Sequence, residues 1–173
     1  MRKITEFDAA DYLPEWRRFT RNAVRAVILR SDGKIALVKS LKEGYYKFPG
    51  GGIKRGETHL EALVRETREE TGLVVLPETV GEYGLVHEIR KSLYNKGEIF
   101  EQNSYYYTAE VSSRQLSQKL DKYEAALGYV LDWVDMEVAY AANVKLSRNR
   151  RNFLLREAAV LKELIENRSK ATV

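Results

Sequence analysis

The segment GGIKRGETHLEALVRETREETGL, residues Gly51 to Leu73, decides which fold this chain adopts. Its middle part predicts a helix, because Thr58 followed three residues later by Glu61 is a capping-box pattern and Gly72 stands where a helix usually ends. Residues spaced i, i+3 and i+4 lie on one face of such a helix. This spacing predicts a face that carries three carboxylates, those of Glu66, Glu69 and Glu70.

Three carboxylates on one face destabilise an isolated helix. Like charges one turn apart repel by about 0.2–0.5 kcal/mol per pair. These glutamates also lie in the last turns before Gly72, where the helix dipole disfavours negative charge. Arg65 and Arg68 can neutralise part of this charge, but a divalent cation would stabilise the helix more, because Mg²⁺, Mn²⁺ and Ca²⁺ prefer hard oxygen ligands. The helix alone is therefore compatible with a solvated acidic face or with a metal site.

The full pattern around the helix decides between these two interpretations. It resembles the Nudix box, which reads Gly, five residues, Glu, seven residues, Arg-Glu, an aliphatic residue, any residue, Glu-Glu, any residue, Gly and an aliphatic residue. The matching positions are Gly51, Glu57, Arg65, Glu66, Glu69, Glu70, Gly72 and Leu73. Seven fixed identities at fixed spacing arise by chance about once in 10⁸ starting positions. Thr67 departs from the pattern because it replaces the usual aliphatic residue, although it keeps a methyl group for packing.

The resemblance, which extends loosely to residues 48–50 and to the flanking strands, implies a fold and an activity. The implied fold is of the α/β class and the α+β type: an α/β/α sandwich with a mixed β-sheet, a box that forms a loop–helix–loop, and a C-terminal helix. The implied activity is hydrolysis, by water attack on phosphorus, of a diphosphate bond in a nucleotide, a nucleotide sugar or an oxidised nucleotide. The implied cofactor is Mg²⁺ or Mn²⁺.

The resemblance also assigns catalytic roles within the box. The expected metal ligands are Glu66, Glu69 and Glu70. One of these glutamates could instead accept the proton from the attacking water, and the resemblance leaves open which one. Arg65 is expected to orient the carboxylates through a bidentate pair with Glu57. A backbone carbonyl of the glycine run, for which we name Gly50, is a further candidate metal ligand.

Other candidate site residues lie outside the box. Nudix proteins often recruit another acidic ligand from a later loop, and Glu124 is the first candidate, followed by Glu98 and Glu101. Each of these side chains could instead be a solvated surface carboxylate. The candidate substrate-binding residues are Arg25, Tyr105 and Tyr107. The two tyrosines lie on one face of a predicted strand, so they could stack on a base or pack in the core.

The remainder of the chain predicts one domain. We expect a polar N-terminal arm at residues 1–20 and a single Nudix-like domain at residues 21–173. Apolar runs between turn residues predict strands at residues 23–29, 35–38, 73–76, 83–89, 104–111 and 128–134. The first two are expected to form a hairpin. A final helix over residues 147–167 is predicted by apolar residues at helical spacing, namely Leu154, Ala158, Leu161 and Ile165.

Composition narrows the class of protein further. The 173 residues include no cysteine, which excludes disulfides, cysteine-ligated zinc and a thiol nucleophile. No stretch approaches the roughly 20 apolar residues that span a bilayer, and acidic residues interrupt the start of the chain before a signal sequence could form. We therefore expect a cytoplasmic protein without a membrane partner. The net charge of +4 is dispersed, with 29 basic beside 25 acidic residues, and so gives little support to nucleic-acid binding.

Two functions remain as alternatives to a small-molecule diphosphatase. An RNA-directed enzyme that removes a 5′-terminal diphosphate or a cap would need a continuous basic groove beside the metal site. A non-catalytic nucleotide-sensing Nudix domain would be expected to lack box carboxylates, and here all are present. The resemblance also leaves a homodimer open, because many Nudix proteins are dimers.

Overall fold

The computed structural model describes residues 1–148 and 152–171, and these ranges hold nine strands and four helices. The strands are β1 (Lys3–Asp8), β2 (Arg17–Val27), β3 (Ile35–Ser40), β4 (Tyr46–Lys47), β5 (Leu73–Val75), β6 (Gly81–Lys91), β7 (Glu98–Thr108), β8 (Val111–Gln115) and β9 (Tyr129–Val134). The helices are α1 (His59–Thr71), α2 (Lys122–Leu127), α3 (Met136–Ser147) and α4 (Asn152–Ala171). A single 3₁₀ turn at Pro77–Thr79 follows β5.

A four-stranded mixed sheet in the order β1-β6-β7-β2 forms the centre of the fold. β6 and β7 pair antiparallel, whereas β1 pairs parallel with β6 and β2 pairs parallel with β7. The β2–β7 register aligns Arg21 with Gln102 and Arg25 with Tyr106. A second sheet has the order β4-β3-β9, and β5 pairs with β8. β2 is an edge strand of the first sheet, so its outer edge is available to the box loop.

Two hydrophobic clusters lie on opposite faces of the strands. Alternate residues of β3 divide between them, since Ile35 and Leu37 belong to one cluster and Ala36 to the other. The α1-side cluster includes Val24, Ala26, Ala62 and Leu63. The α4-side cluster includes Phe48, Tyr106, Met136 and Leu161. Helices therefore cover both faces of the strands, and the predicted α/β/α sandwich with a mixed sheet is confirmed.

The N-terminal segment differs from the polar arm that we expected at residues 1–20. Residues 3–8 form β1 and pair with β6, and β2 already begins at Arg17. Ile4 and Phe7 pack against the α4-side cluster. These apolar contacts explain why a largely polar segment joins the sheet.

The connections also differ from expectation. The turn after β2 brings Leu29 beside Ile35 as predicted, but β2 and β3 then join different sheets and form no continuous hairpin. α2 was not predicted because its six residues are too few to show a helical period, and α3 was not predicted either. Part of the helix predicted over residues 147–167 is α4, while residues 149–151 lie outside the described residues. Every helix among the described residues is too short or too polar to span a lipid bilayer.

Candidate active site

The loop at residues 48–52 lies along the outer edge of β2. The Val24 amide donates a hydrogen bond to the Gly51 carbonyl (3.0 Å). Gly50 has a φ of 141°, and a Cβ at this position would lie 2.9 Å from the Arg25 Cα. Only glycine permits this approach of two backbones, so β2 determines where the Gly50 carbonyl lies.

Helix α1 presents carboxylates to this loop. The helix begins after Thr58, which forms the predicted capping box with Glu61, and it ends at Gly72. A Cβ on Gly51 would lie 2.5 Å from the carboxyl group of Glu66. Because glycine has no Cβ, the Glu66 carboxylate can lie directly against the loop backbone.

Glu70 is the most deeply buried carboxylate of the box, with an exposed fraction of 2%. It accepts a hydrogen bond from the Gly50 amide (2.9 Å) and forms an ion pair with Lys47. Lys47 also donates to the Gly50 carbonyl (3.3 Å). A buried carboxylate requires such partners, because an unpaired charge away from water is costly. Together, Glu70, Lys47 and Gly50 connect the loop to the helix.

Arg65 links several acidic groups of the box. Its guanidinium donates to both carboxylate oxygens of Glu57 (2.6 and 2.8 Å), which is the bidentate pair that we expected. It also donates to Glu66 (2.5 Å), to Glu69 (3.3 Å) and to the Gly52 carbonyl (3.2 Å). Hydrogen bonding to Arg65 lowers the pKa of Glu57 to about 2. The arginine therefore holds the end of the loop and three glutamates in one arrangement.

Two of the three predicted metal-binding glutamates line a common cleft. This cleft has a volume of about 280 Å³, and Glu66, Glu70 and the backbone of Gly50 contribute to its wall. Glu69 does not line it; its side chain is 30% exposed and lies 3.3 Å from Arg65. Within residues 1–148 and 152–171, no three carboxylate or imidazole groups are gathered closely enough to hold an ion as they stand. The structure thus brings Glu66 and Glu70 together and leaves Glu69 aside.

Glu124 joins the same cleft from α2. Its carboxylate accepts a hydrogen bond from the Asp121 amide (2.9 Å) in a second capping box. Burial raises the pKa of Glu124 to about 7, and the charge of Glu70 contributes to this shift. The other two candidates have partners away from the cleft: Glu98 contacts Arg17 and Asn95, and Glu101 contacts Thr20 and His87. Of the three, the structure places only Glu124 beside the box carboxylates.

Of the three candidate substrate-binding residues, the structure brings only Arg25 to the cleft. Tyr105 and Tyr107 pack in the α1-side cluster. The ring of His59 lies 4.5 Å from that of Tyr105, and its Nδ1 lies 2.8 Å from the hydroxyl of Tyr107. The β2–β7 register explains this placement, because Tyr106 aligns with Arg25 and its two neighbours face the other side of the sheet. Of the two alternatives that the sequence left open for these tyrosines, their contacts with the α1-side cluster favour core packing.

Comparison with known proteins identifies the family of this chain. The sequence model of the NUDIX domain matches residues 19–156, which is most of the chain. The chain belongs to the Nudix family. RNA pyrophosphohydrolases from Xanthomonas campestris pv. campestris (strain B100) and Xanthomonas oryzae pv. oryzae (strain MAFF 311018) are 43% identical to it over 60 residues, or 35% of this chain. That match spans 28% of the length of these relatives. A NUDIX hydrolase from Nitrosomonas europaea has a similar fold, with a TM-score of 0.54 and 25% identity, covering 73% of this chain and 79% of that one.

The Nudix site has the donor chemistry that a hard divalent cation requires. Glu66, Glu70, Glu124 and Gly50 line one cleft, which brings together three carboxylates and a backbone carbonyl that now accepts a hydrogen bond from Lys47. The missing Cβ at Gly51 leaves the Glu66 carboxylate against the loop. Burial raises the pKa of Glu124, and a cation in the cleft would favour the charged form of this carboxyl group. These residues therefore fit a divalent metal.

The sequence did not point to two basic residues that line this cleft, Arg21 and Lys47, or to Arg156, which lines a neighbouring cleft. Lys47 directly precedes the residues 48–50 that lead into the box, and this position could have identified it. Arg21 lies four residues before Arg25, so strand alternation could have placed both on one face. Arg156 had no sequence signal, because its position depends on how α4 packs against the sheet.

Proposed function

We propose that this Nudix protein hydrolyses a diphosphate bond in a nucleoside-diphosphate-linked small molecule with the help of Mg²⁺ or Mn²⁺. The observation that carries the proposal is the shared cleft, to whose wall Glu66, Glu70, Glu124 and Gly50 all contribute. This arrangement supports a metal site beside basic side chains that can bind phosphate. The proposal includes a cytoplasmic location and leaves a homodimer as an expectation from the family.

The residues of the cleft have distinct roles in this proposal. Glu66, Glu70, Glu124 and the Gly50 carbonyl would hold the cation, and Glu69 would join them by leaving Arg65. When bound, such a cation neutralises the diphosphate charge, polarises the P–O bonds and acidifies a water molecule. Arg65 keeps Glu66 and the loop in position, and Lys47 does the same for Glu70. A carboxylate of the box accepts the proton from the attacking water.

The reaction adds one water molecule across the diphosphate bond. The water oxygen forms a bond to one phosphorus atom, and the bridging P–O bond breaks. The second phosphate leaves with the bridging oxygen, and the proton passes to a carboxylate. The products are two phosphorylated molecules, one of which is a nucleoside monophosphate when the broken bond joins the phosphate attached to the nucleoside to the next phosphate.

A second candidate is an RNA 5′-end diphosphatase. It is favoured by the name of the Xanthomonas relatives, which are RNA pyrophosphohydrolases. The 60-residue match contributes only part of those proteins, so it supports the box chemistry more directly than the choice of substrate. The two candidates share the metal site and differ in what is attached to the phosphate chain.

A substrate panel tests the proposal. Purified protein is incubated with ATP, an oxidised nucleoside triphosphate, ADP-ribose, UDP-glucose and a 5′-triphosphorylated RNA oligomer, with Mg²⁺ or Mn²⁺, and the released phosphate and nucleotide products are measured. We expect hydrolysis of at least one small nucleotide, which EDTA abolishes and either metal restores. The variant Glu78→Gln should hydrolyse the same substrates as the wild type, because Glu78 is exposed in the 3₁₀ turn outside the cleft. Absence of hydrolysis across the panel would overturn the proposal, and hydrolysis of the RNA alone would favour the second candidate.

A further inference from the structure

Two arginines of β2 lack an acidic partner in the part of the chain that the structure describes. Arg21 Nη1 donates to Gln102 Oε1 (2.8 Å), and Arg25 Nη1 donates to the Gly50 carbonyl. Arg25 is 5% exposed, and its Nε has no hydrogen-bond partner among the described residues. A shielded cation without a counter-charge is costly. This pair of arginines therefore indicates a site for an anion.

A small cleft of about 230 Å³ opens beside these arginines. Its charged lining residues are Arg21, Arg25, Lys47 and Arg156. Lys47 and Arg156 are neutralised by ion pairs with Glu70, Glu88 and Glu157. Burial, followed by repulsion from the neighbouring arginines, lowers the pKa of Arg21 to about 10, so the group still carries its charge at neutral pH. The cleft thus keeps an excess of positive charge.

The position and size of the small cleft suit a phosphate group. It shares Arg21, Arg25 and Lys47 with the wall of the cleft that contains the box carboxylates, so a ligand can extend from one cleft into the other. Its volume is below the roughly 300–1,000 Å³ of pockets that take drug-sized ligands. A third cleft of about 530 Å³, which Arg21 also lines, contains Phe19 and His59 and has more room for a nucleoside.

Resting on the proposed diphosphatase activity, we propose that Arg21 and Arg25 hold the terminal phosphate of a nucleotide whose phosphate chain ends freely. Nucleoside triphosphates are then preferred over diphosphates that carry a second sugar. The guanidinium fork donates two parallel hydrogen bonds to phosphate oxygens. A second sugar at this position has no anionic oxygen, so it leaves the buried Arg25 and the partly buried Arg21 without a counter-charge and binds less well.

Kinetics with two substrates test this specificity. Arg21→Gln is compared with the wild type on ATP and on ADP-ribose. We expect kcat/KM to fall about 10- to 100-fold for ATP and less than about 3-fold for ADP-ribose, since only ATP places a charged group at Arg21. Arg18→Gln is the control, because Arg18 lies on the same strand, is exposed and contacts Glu101 instead. An equal loss on both substrates would show that Arg21 only offsets the acidic wall, and it would overturn the proposal.

A binding measurement separates this proposal from the proposed function. Imidodiphosphate, whose P–N–P bridge resists hydrolysis, is titrated into the wild type and both variants by isothermal titration calorimetry, with Mg²⁺ present. We expect Arg21→Gln to weaken its binding at least about 10-fold and Arg18→Gln to leave it unchanged. Dependence on Arg21 without any hydrolysis of nucleotides would support the anion site and contradict the enzyme. If nucleotides are hydrolysed but Arg21→Gln binds imidodiphosphate as tightly as the wild type, the enzyme is supported and the anion site is overturned.

A second variant guards against a loss of fold. Arg21→Lys keeps the positive charge in the same space, and thermal unfolding checks that each variant is folded. We expect Arg21→Lys to recover part of the affinity for imidodiphosphate that Arg21→Gln loses. Equal losses in both variants would show that the packing of β2, and not the charge, is responsible, and would overturn the proposal.

Discussion

Replacing Gly51 by alanine displaces one carboxylate of the site while leaving the fold intact. The new Cβ would lie 2.5 Å from the Glu66 carboxyl group, well inside the contact distance of about 3.5–4.0 Å. The atoms that it meets are the far end of a flexible side chain, and Gly51 does not have a positive φ, so Glu66 moves and the backbone stays. We expect the free energy of unfolding to change by less than about 1 kcal/mol. Because Glu66 leaves its place, kcat/KM and metal affinity should fall about 10- to 100-fold.

The neighbouring change Gly50→Ala should have the opposite profile. Its Cβ would lie 2.9 Å from the Arg25 Cα and closer still to the carbonyl oxygen of Val24, which are backbone atoms that cannot rotate away. The φ of 141° adds strain of about 1–3 kcal/mol. We expect a total loss of at least about 3 kcal/mol, which lowers the Tm by about 6–12 °C for a chain of this size. Substitutions at these two adjacent glycines therefore distinguish an effect on stability, at Gly50, from an effect on the metal site, at Gly51.

The assay combines stability with metal binding. Thermal unfolding gives the Tm of each variant, calorimetric titration with Mn²⁺ gives metal affinity, and kcat/KM is measured at several Mn²⁺ concentrations. Gly81→Ala is the matched control, because Gly81 lies in β6 with its Cβ position 3.0 Å from the Thr108 hydroxyl and outside the cleft. A folded Gly51→Ala protein with wild-type metal affinity and kcat/KM would refute the placement of Glu66 at the metal. A Tm loss as large as that of Gly50→Ala would refute the claim that Glu66 gives way.

The glutamates and the arginine of the box can be examined in the same assays. Glu69→Gln and Glu70→Gln should each lower kcat at least about 100-fold. Only Glu70→Gln should also lower the Tm, because it leaves Lys47 buried without its partner. Full activity in both variants would contradict the assigned site. Arg65→Lys should lower kcat/KM about 10-fold, because lysine cannot form the bidentate pair with Glu57, and unchanged steady-state kinetics would count against this role. The pKa of Glu57 is lowered from 4.5 to about 2, so the stability that it contributes is present above pH 4.5 and is lost as the pH falls towards 2. In urea unfolding, the difference between wild type and Glu57→Gln should therefore shrink over that interval, and a constant difference would disprove it.

The box helix could be predicted because its determinants lie close together in the chain. Thr58 and Glu61 are three residues apart, and their capping box forms within one turn wherever the helix packs. The Arg65–Glu57 pair spans eight residues between the loop and the helix that it precedes. Hydrophobic periodicity likewise identified the buried stripe of α4. Such local features depend on backbone geometry that the neighbouring residues already specify.

The side of the sheet on which the tyrosines lie could not be predicted from the local sequence. Alternation correctly put Tyr105 and Tyr107 on one face of a strand, but it could not say whether that face packs on the α1 side or on the α4 side of the sheet. The register with β2 decided it, and this register joins residues 81 positions apart, as in the hydrogen bond from Arg21 to Gln102. A strand has two equivalent faces until a partner and a helix layer are chosen.

The sequence by itself determined the sandwich fold and the box helix, and it named the carboxylates that we propose as metal ligands. Only the tertiary structure decided that Lys47 pairs with Glu70, that Glu124 and not Glu98 joins the cleft, and that Arg21 and Arg25 lack acidic partners. The reason is physical: these contacts connect segments that approach each other only after the sheet and α2 have packed. Which charged groups surround a side chain depends on its burial and on the strand register, and neither can be deduced from the spacing of residues along the chain.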